Sequence, residues 1–118
     1  MSRTQALARF GEDVAARYVE SLGMRILDRN WRCRHGELDI VARSEATLVI
    51  VEVKTRASQT CGPPIEAVTP RKVRRLRQCA LAWLDARQLH APNVRFDVVG
   101  VACREAGSPL IEHLPGVT

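Results

Sequence analysis

Apolar positions along the chain switch between two periods. Leu7, Phe10, Val14, Tyr18 and Leu22 recur at spacings of three and four, which predicts an amphipathic helix over Thr4–Leu22. Thr4 is the expected cap and Gly23 the expected stop. The pattern then shortens. Met24–Cys33, Gly36–Ala42 and Leu48–Arg56 read as three strands, the last two rich in Val, Ile and Leu. The polar stretch Arg43–Thr47 between them fits a short hairpin loop. Residues 55–69 read as irregular around Gly62-Pro63-Pro64, with one helical turn expected at Pro64–Val68. Thr69-Pro70 opens a second helix, Thr as cap and Pro at the first position. It runs to about Gln88 with Val73, Leu76, Ala80, Trp83, Leu84 and the Arg87 stem on one side. Asn93–Ala102 is a further strand, Leu110–Leu114 a short last one, and the tail from Pro115 is expected to be loose.

The hairpin carries charge where strands usually carry apolar residues. Side chains alternate, so Glu52 and Lys54 share one face of their strand while Val49, Val51 and Val53 share the other. A loop centred between Glu45 and Ala46 sets Asp39 opposite Glu52, and Glu37 opposite Lys54. Facing like charges are destabilising, so such a pair calls for a lysine or a divalent cation between its members. In the first helix, Gly11 costs about 1 kcal/mol relative to Ala, and its place on the apolar stripe predicts the close approach of another backbone. Glu12 falls at the edge of that stripe. It either reaches the rim of a sheet or is a solvated helix carboxylate, and spacing alone favours the second.

Composition narrows the class. At 118 residues with 46% hydrophobic content, one compact α/β or α+β domain over 1–118 is expected, and disorder is not. No apolar run approaches the roughly 18 residues of a membrane span, and Met1–Gln5 leads straight into the amphipathic pattern without an apolar signal core. The expectation is a cytoplasmic protein without a membrane partner. The net charge is +5, and Lys54 and Lys72 are the only lysines among 18 basic residues. Arginine suits bidentate phosphate contacts. Arg29, Arg32 and Arg34 surround Trp31, which reads either as a phosphate-and-base contact or as a solvated strand end with Trp31 in the core. Arg71, Lys72, Arg74, Arg75 and Arg77 crowd the start of the second helix, where cations oppose the macrodipole. They are either a phosphate-binding cluster or a solvated basic face.

Cys33, Cys61, Cys79 and Cys103 form no C-x-x-C pair, and no His stands at zinc-finger spacing, so free thiols are expected. There is no phosphate loop of the G-x-x-x-x-G-K type and no G-x-S-x-G context for a serine nucleophile. What remains is oxygen chemistry. Asp39, Glu52 and Glu12 suit Mg²⁺ or Mn²⁺, which keep waters and take up phosphate oxygens. Lys54, on the Glu52 face, can steady an attacking water or the charge growing on phosphorus.

Gly36-Glu37-Leu38-Asp39-Ile40-Val41-Ala42, Val51-Glu52-Val53-Lys54-Thr55-Arg56, Gly11-Glu12 and Arg95-Phe96-Asp97-Val98-Val99 together resemble the YraN family, over about Ala6 to Val101. That family is similar to restriction-endonuclease-like nucleases with a PD-(D/E)xK site and to archaeal Holliday-junction resolvases. The resemblance implies a restriction-endonuclease-like mixed sheet flanked by helices, its central antiparallel hairpin carrying the site. It implies Asp39 and Glu52 as metal carboxylates, Lys54 as the catalytic lysine and Glu12 as the helix carboxylate that completes the site. Leu38 stands where the literal motif has Pro. Ala82 stands where some relatives pair a helix glutamine with Tyr, so Gln78 is left outside the site. The first expectation is therefore a Mg²⁺- or Mn²⁺-dependent nuclease acting on DNA, branched or structured DNA included. Arg56, Arg71, Lys72, Arg74 and Arg75 are the expected phosphate contacts, and a homodimer is expected by analogy with the resolvases. The alternatives are a nucleic-acid-binding module with little or no turnover, and a structural protein whose carboxylates merely pair with Arg and Lys.

Overall fold

The computed structural model describes residues 1–58 and 68–117. Among these residues seven elements follow one another: α1 (Arg3–Ser21), β1 (Arg25–Cys33), β2 (Gly36–Ser44), β3 (Thr47–Arg56), α2 (Pro70–Arg87), β4 (Asn93–Ala102) and β5 (Leu110–Leu114). All seven predicted elements are present. The helical turn expected at Pro64–Val68 falls almost wholly outside the described residues.

The strands form one mixed sheet in the order β1-β2-β3-β4-β5. Only β3 and β4 run parallel; the other pairs are antiparallel. A parallel pair needs a long crossover, and the segment containing α2 supplies it. The helices cover opposite faces. Val14, Ala15 and Val19 of α1 pack on Ile40, Val49, Val51, Val99 and Val101. Leu76, Cys79, Ala80 and Trp83 of α2 pack on Leu38, Val41, Leu48, Ile50 and Phe96. The alternation of β3 decides this division, odd residues toward α1 and even residues toward α2.

Two details of α1 differ from expectation. Ser2, not Thr4, caps the helix. Its hydroxyl accepts the Gln5 N–H at 3.1 Å while Gln5 Oε1 accepts the Ser2 N–H at 2.9 Å, a reciprocal capping box that leaves Thr4 inside the first turn. The buried face is also not the stripe of large residues. Gly11, Val14, Ala15, Ala16 and Val19 are buried, while Phe10 is 42% exposed and Leu22 48%. Small side chains let the helix backbone settle close to the sheet. At Gly11 the approach is extreme: an added Cβ would stand 2.7 Å from the Thr55 Cβ and overlap its hydroxyl. The expected close approach is thus real, and the partner is a β3 side chain.

Trp83 is fully buried. Its Nε1–H donates to Asp28 Oδ2 at 3.0 Å, and Arg87 reaches the same oxygen at 2.6 Å while its guanidinium lies 5.0 Å from the indole centre. The tail is not loose through Val117. Asp97, 1% exposed on β4, accepts two bonds from Arg95, both at 2.9 Å, and the Gly116 N–H at 3.1 Å. It also meets His113 Nε2 at 2.8 Å, and His113 Nδ1 meets the Tyr18 hydroxyl at 3.0 Å. The Val117 N–H donates to the Phe96 carbonyl at 2.9 Å.

Burial alone would raise the Asp97 pKa. The bonds from Arg95, His113 and the Gly116 N–H outweigh it and hold the carboxyl below its usual 3.8. A depressed folded-state pKa stabilises above the unfolded value and loses that contribution as pH falls through the folded value. Asp97→Asn is therefore expected to cost about 3 kcal/mol at neutral pH and to flatten the acid limb of stability below about pH 4. Urea unfolding of both proteins at several pH values checks this.

Candidate active-site cleft

The site forms where the β2–β3 hairpin comes apart. Its ladder runs from Ser44–Thr47 to Ile40–Val51 in the predicted register, around a tight turn at Glu45-Ala46 with Glu45 at φ 54°. It stops one rung short of the expected Asp39–Glu52 pair. The Val53 N–H donates at 2.8 Å to the Asp39 side chain, Oδ2, instead of to a strand carbonyl. Glu37 pairs across the other seam, opposite Arg32 of β1 with 3.4 Å between their charged groups, and not with Lys54. Alternation along β2 is also interrupted here, since Leu38 packs with α2's core and Ile40 with α1's. Facing carboxylates repel at ladder spacing, and parting the strands lets the side chains meet without that constraint.

Asp39 and Glu52 still meet, through a side-chain hydrogen bond. Burial, the bond to Glu52 and the Glu52 charge together push Asp39 from 3.8 to about 9, against a smaller pull from the Val53 N–H. Lys72 of α2 brings its ammonium to 2.9 Å from Glu52 Oε2. That oxygen is buried, and the approach is not aligned as a hydrogen bond. The raised pKa of Asp39 and the Lys72 ammonium beside Glu52 both lower the net negative charge of the pair.

These residues line an open cleft of about 460 Å³ with Glu12, Lys54 and Thr55. Glu12 is half-buried on α1. Burial raises its pKa, the bond from the Asn30 side chain lowers it, and the Glu37 charge raises it. Its apolar-edge position in the sequence thus places it at the sheet rim after all. Lys54 is exposed at the cleft wall. A smaller cleft of about 250 Å³ adjoins the first and shares Asp39, Glu52 and Lys72 with it; His35, Arg75 and Cys79 complete much of its wall. Arg71 and Arg74 are exposed on α2, and Arg56 is half-buried at the end of β3. The basic cluster therefore divides: Lys72 and Arg75 face the clefts, and Arg71 and Arg74 do not line them. Of the patch around Trp31, the Trp packs against α2's core, and Arg29 pairs with Asp13 at 2.7 Å.

Among the described residues no three His, Cys, Asp or Glu side chains converge on one point. The carboxylate donor set is the Asp39–Glu52 pair, with Glu12 across the cleft. This fits Mg²⁺, which is bound through one or two carboxylates plus waters and phosphate oxygens rather than by an all-protein cage. The thiols do not compete for this role. Cys33 and Cys79 stand 3.6 Å apart as free thiols, and burial pushes Cys79 up to about 11. Cys61 lies outside the described residues. A separate cavity, about 440 Å³ between the hairpin turn and the end of α2, is lined mainly by apolar residues such as Leu27, Leu48 and Trp83. Its lining holds one acid, Glu45, and no acid pair.

Asn30 has no role in the sequence reading. It sits in β1 at φ 52°, between the rungs Arg29–Ile40 and Trp31–Leu38 and so across from Asp39. Asparagine tolerates the left-handed region, and here that conformation accompanies the bond to Glu12. Its signal in the sequence is an Asn inside a strand, where Asn is depleted.

Fold and cleft define a mixed α/β domain with paired acids and two lysines where two central strands separate. Residues 11–101 match the profile of a family described as "Uncharacterised protein family UPF0102", and the chain belongs to it. This is the YraN family that the motifs resemble. The chain is 50% identical over 117 residues to a "UPF0102 protein" of Beutenbergia cavernae, with 99% of each covered. It is 52% identical over 117 residues to one of Arthrobacter sp., again with 99% of each covered. With one of Acidothermus cellulolyticus it shares 50% identity over 125 residues, covering 98% of this chain and 95% of the relative. No helix among the described residues is long and apolar enough to cross a membrane.

Two outcomes are expected from this geometry. Gly11→Ala should destabilise by about 1–3 kcal/mol through overpacking despite the better helix propensity of Ala, because the β-branched Thr55 has little freedom to turn away. Thr55→Ala, which removes the two nearest atoms, should restore part of the loss in a double-mutant cycle. The second outcome concerns Asp39. Its folded-state pKa of about 9 lies above the unfolded value near 3.8, so the folded state binds more protons in between. Stability without metal should then fall as pH rises across that window. Asp39→Asn should remove the slope, as followed by melting temperature in chelator.

Proposed function

We propose that this protein is a divalent-metal-dependent nuclease that hydrolyses phosphodiester bonds in DNA, structured DNA included. The observation that carries the reading is the half-buried Asp39–Glu52 pair, open to an accessible cleft and bordered by Lys54 and Lys72. The motif's resemblance to the restriction-endonuclease-like superfamily supplies the reaction class. Asp39 and Glu52 would hold Mg²⁺ or Mn²⁺. Bound there, the ion would polarise the phosphodiester and ease deprotonation of a water. Asp39 gives up its proton as the site charges. Glu12, held by Asn30, presents its carboxyl to the same cleft. Lys54 places its ammonium at the cleft wall to offset charge gathering on the phosphate. Arg75, beside the smaller cleft, and Arg56, Arg71 and Arg74 contact neighbouring phosphates. A small basic domain of this kind reads backbone shape more readily than long sequences. The reading places it in the cytoplasm as a single folding unit, with a homodimer the favoured assembly on two-fold junctions.

The Lys72–Glu52 ion pair and the lack of a third converging carboxylate among the described residues favour a second reading. In that reading the fold binds nucleic acid, with a lysine standing permanently in the metal's place and no turnover.

Linear, flapped and four-way DNA and a matched RNA, incubated with Mn²⁺, separate the two readings. Cleavage is expected from the wild type, with Asp39→Ala and Lys54→Ala each reduced about 10²-fold or more. Wild-type binding without cleavage, with affinity falling steeply with salt and indifferent to Mn²⁺, would establish the second.

A further inference from the structure

Lys72 is the residue whose position the cleft chemistry explains least. It is the third residue of α2, where a cation opposes the helix macrodipole. Its backbone is fixed, since its N–H donates to the capping Thr69 hydroxyl at 3.1 Å. From there the side chain is not extended into solvent like that of Arg71. It reaches Glu52 Oε2 at 2.9 Å, with the Lys72 side chain 34% exposed and that of Glu52 only 12%. The oxygen it meets is buried and, among the described residues, has no aligned hydrogen-bond donor. Asp39, Glu52 and Lys72 are the three residues common to both clefts, so the ammonium stands at their junction, against the acid pair.

We propose that Lys72 is a built-in counter-cation of the Asp39–Glu52 pair, occupying the place that a divalent cation takes and leaving it when that cation binds. The inference rests on the metal-site reading above and adds a residue-specific device to it. Two carboxyls brought together in a half-buried seam need positive charge in every state of the protein. Without metal, the Lys72 ammonium at 2.9 Å from Glu52 Oε2 provides it. A divalent ion on the same oxygens is repelled by an ammonium that stands 2.9 Å from one of them, and the long flexible lysine stem lets the head withdraw into the open cleft.

The test needs no nucleic acid and no turnover. Free Mn²⁺ is measured by electron paramagnetic resonance during titration at neutral pH and low salt, where charge effects are least screened. The wild type, Lys72→Met, Lys72→Arg and Asp39→Asn are compared. Lys72→Met is expected to bind Mn²⁺ about ten-fold more tightly than the wild type, because the competing charge is gone. Lys72→Arg, which keeps the charge, is expected to match the wild type or bind more weakly. In chelator, Lys72→Met should melt lower than the wild type, and Mn²⁺ should raise its melting temperature by more. Lys72→Gln serves if the Met variant does not fold, with the same sign expected. Mn²⁺ binding by Lys72→Met that equals or falls below that of the wild type, with wild-type binding still lost in Asp39→Asn, would overturn the counter-cation role and leave the metal site standing. Absence of Mn²⁺ binding from the wild type would overturn the metal-site reading itself.

Discussion

The structure turns on one electrostatic constraint, that two carboxyls on neighbouring central strands cannot both be charged and close without a cation or a proton between them. The β2–β3 ladder stops one rung before Asp39 and Glu52 would face each other, and the Asp39 side chain takes the backbone N–H that pairing would have used. Parting the strands creates the cleft. Moving Asp39 to about 9 and drawing in Lys72 keep the seam tolerable. A core of Val, Ile, Leu and Trp on both faces supplies the stability against which this costly arrangement is held.

The rest of the architecture serves the seam. α1 carries Glu12 to the cleft only because its backbone lies almost on β3, which Gly11 permits against Thr55. α2 brings Lys72 from the opposite face because Thr69 and Pro70 fix where the helix begins. The site thus draws on both layers as well as the sheet, since residues from the first turns of α1 and α2 line the clefts that hold the paired acids.

Much of this was legible in the sequence because it depends on local rules. Alternation located the strands, Thr69-Pro70 located α2, and the hairpin register was right for every rung that formed. It failed at the rung where charge repulsion overrides pairing, which a pattern argument treats as one more pair. The α1 stripe misled because size was weighed and closeness was not. Phe10 and Leu22 are large and exposed, and Gly11, Ala15 and Ala16 are small and buried. Ser2 was missed as a cap because the apolar pattern begins later than the helix does. Asn30, the Trp83–Asp28 bond and the Asp97–His113–Tyr18 chain join residues far apart in the sequence, and no periodicity reports such contacts.

β3 is held on one side by a hairpin of nearest neighbours and on the other by a parallel strand, every rung of which joins residues 46 positions apart, as Thr47 with Asn93. Local hairpins close in microseconds, whereas pairings across a long crossover are slow. During folding, β2 and β3 can therefore bring Asp39 and Glu52 together before α2 has docked to deliver Lys72.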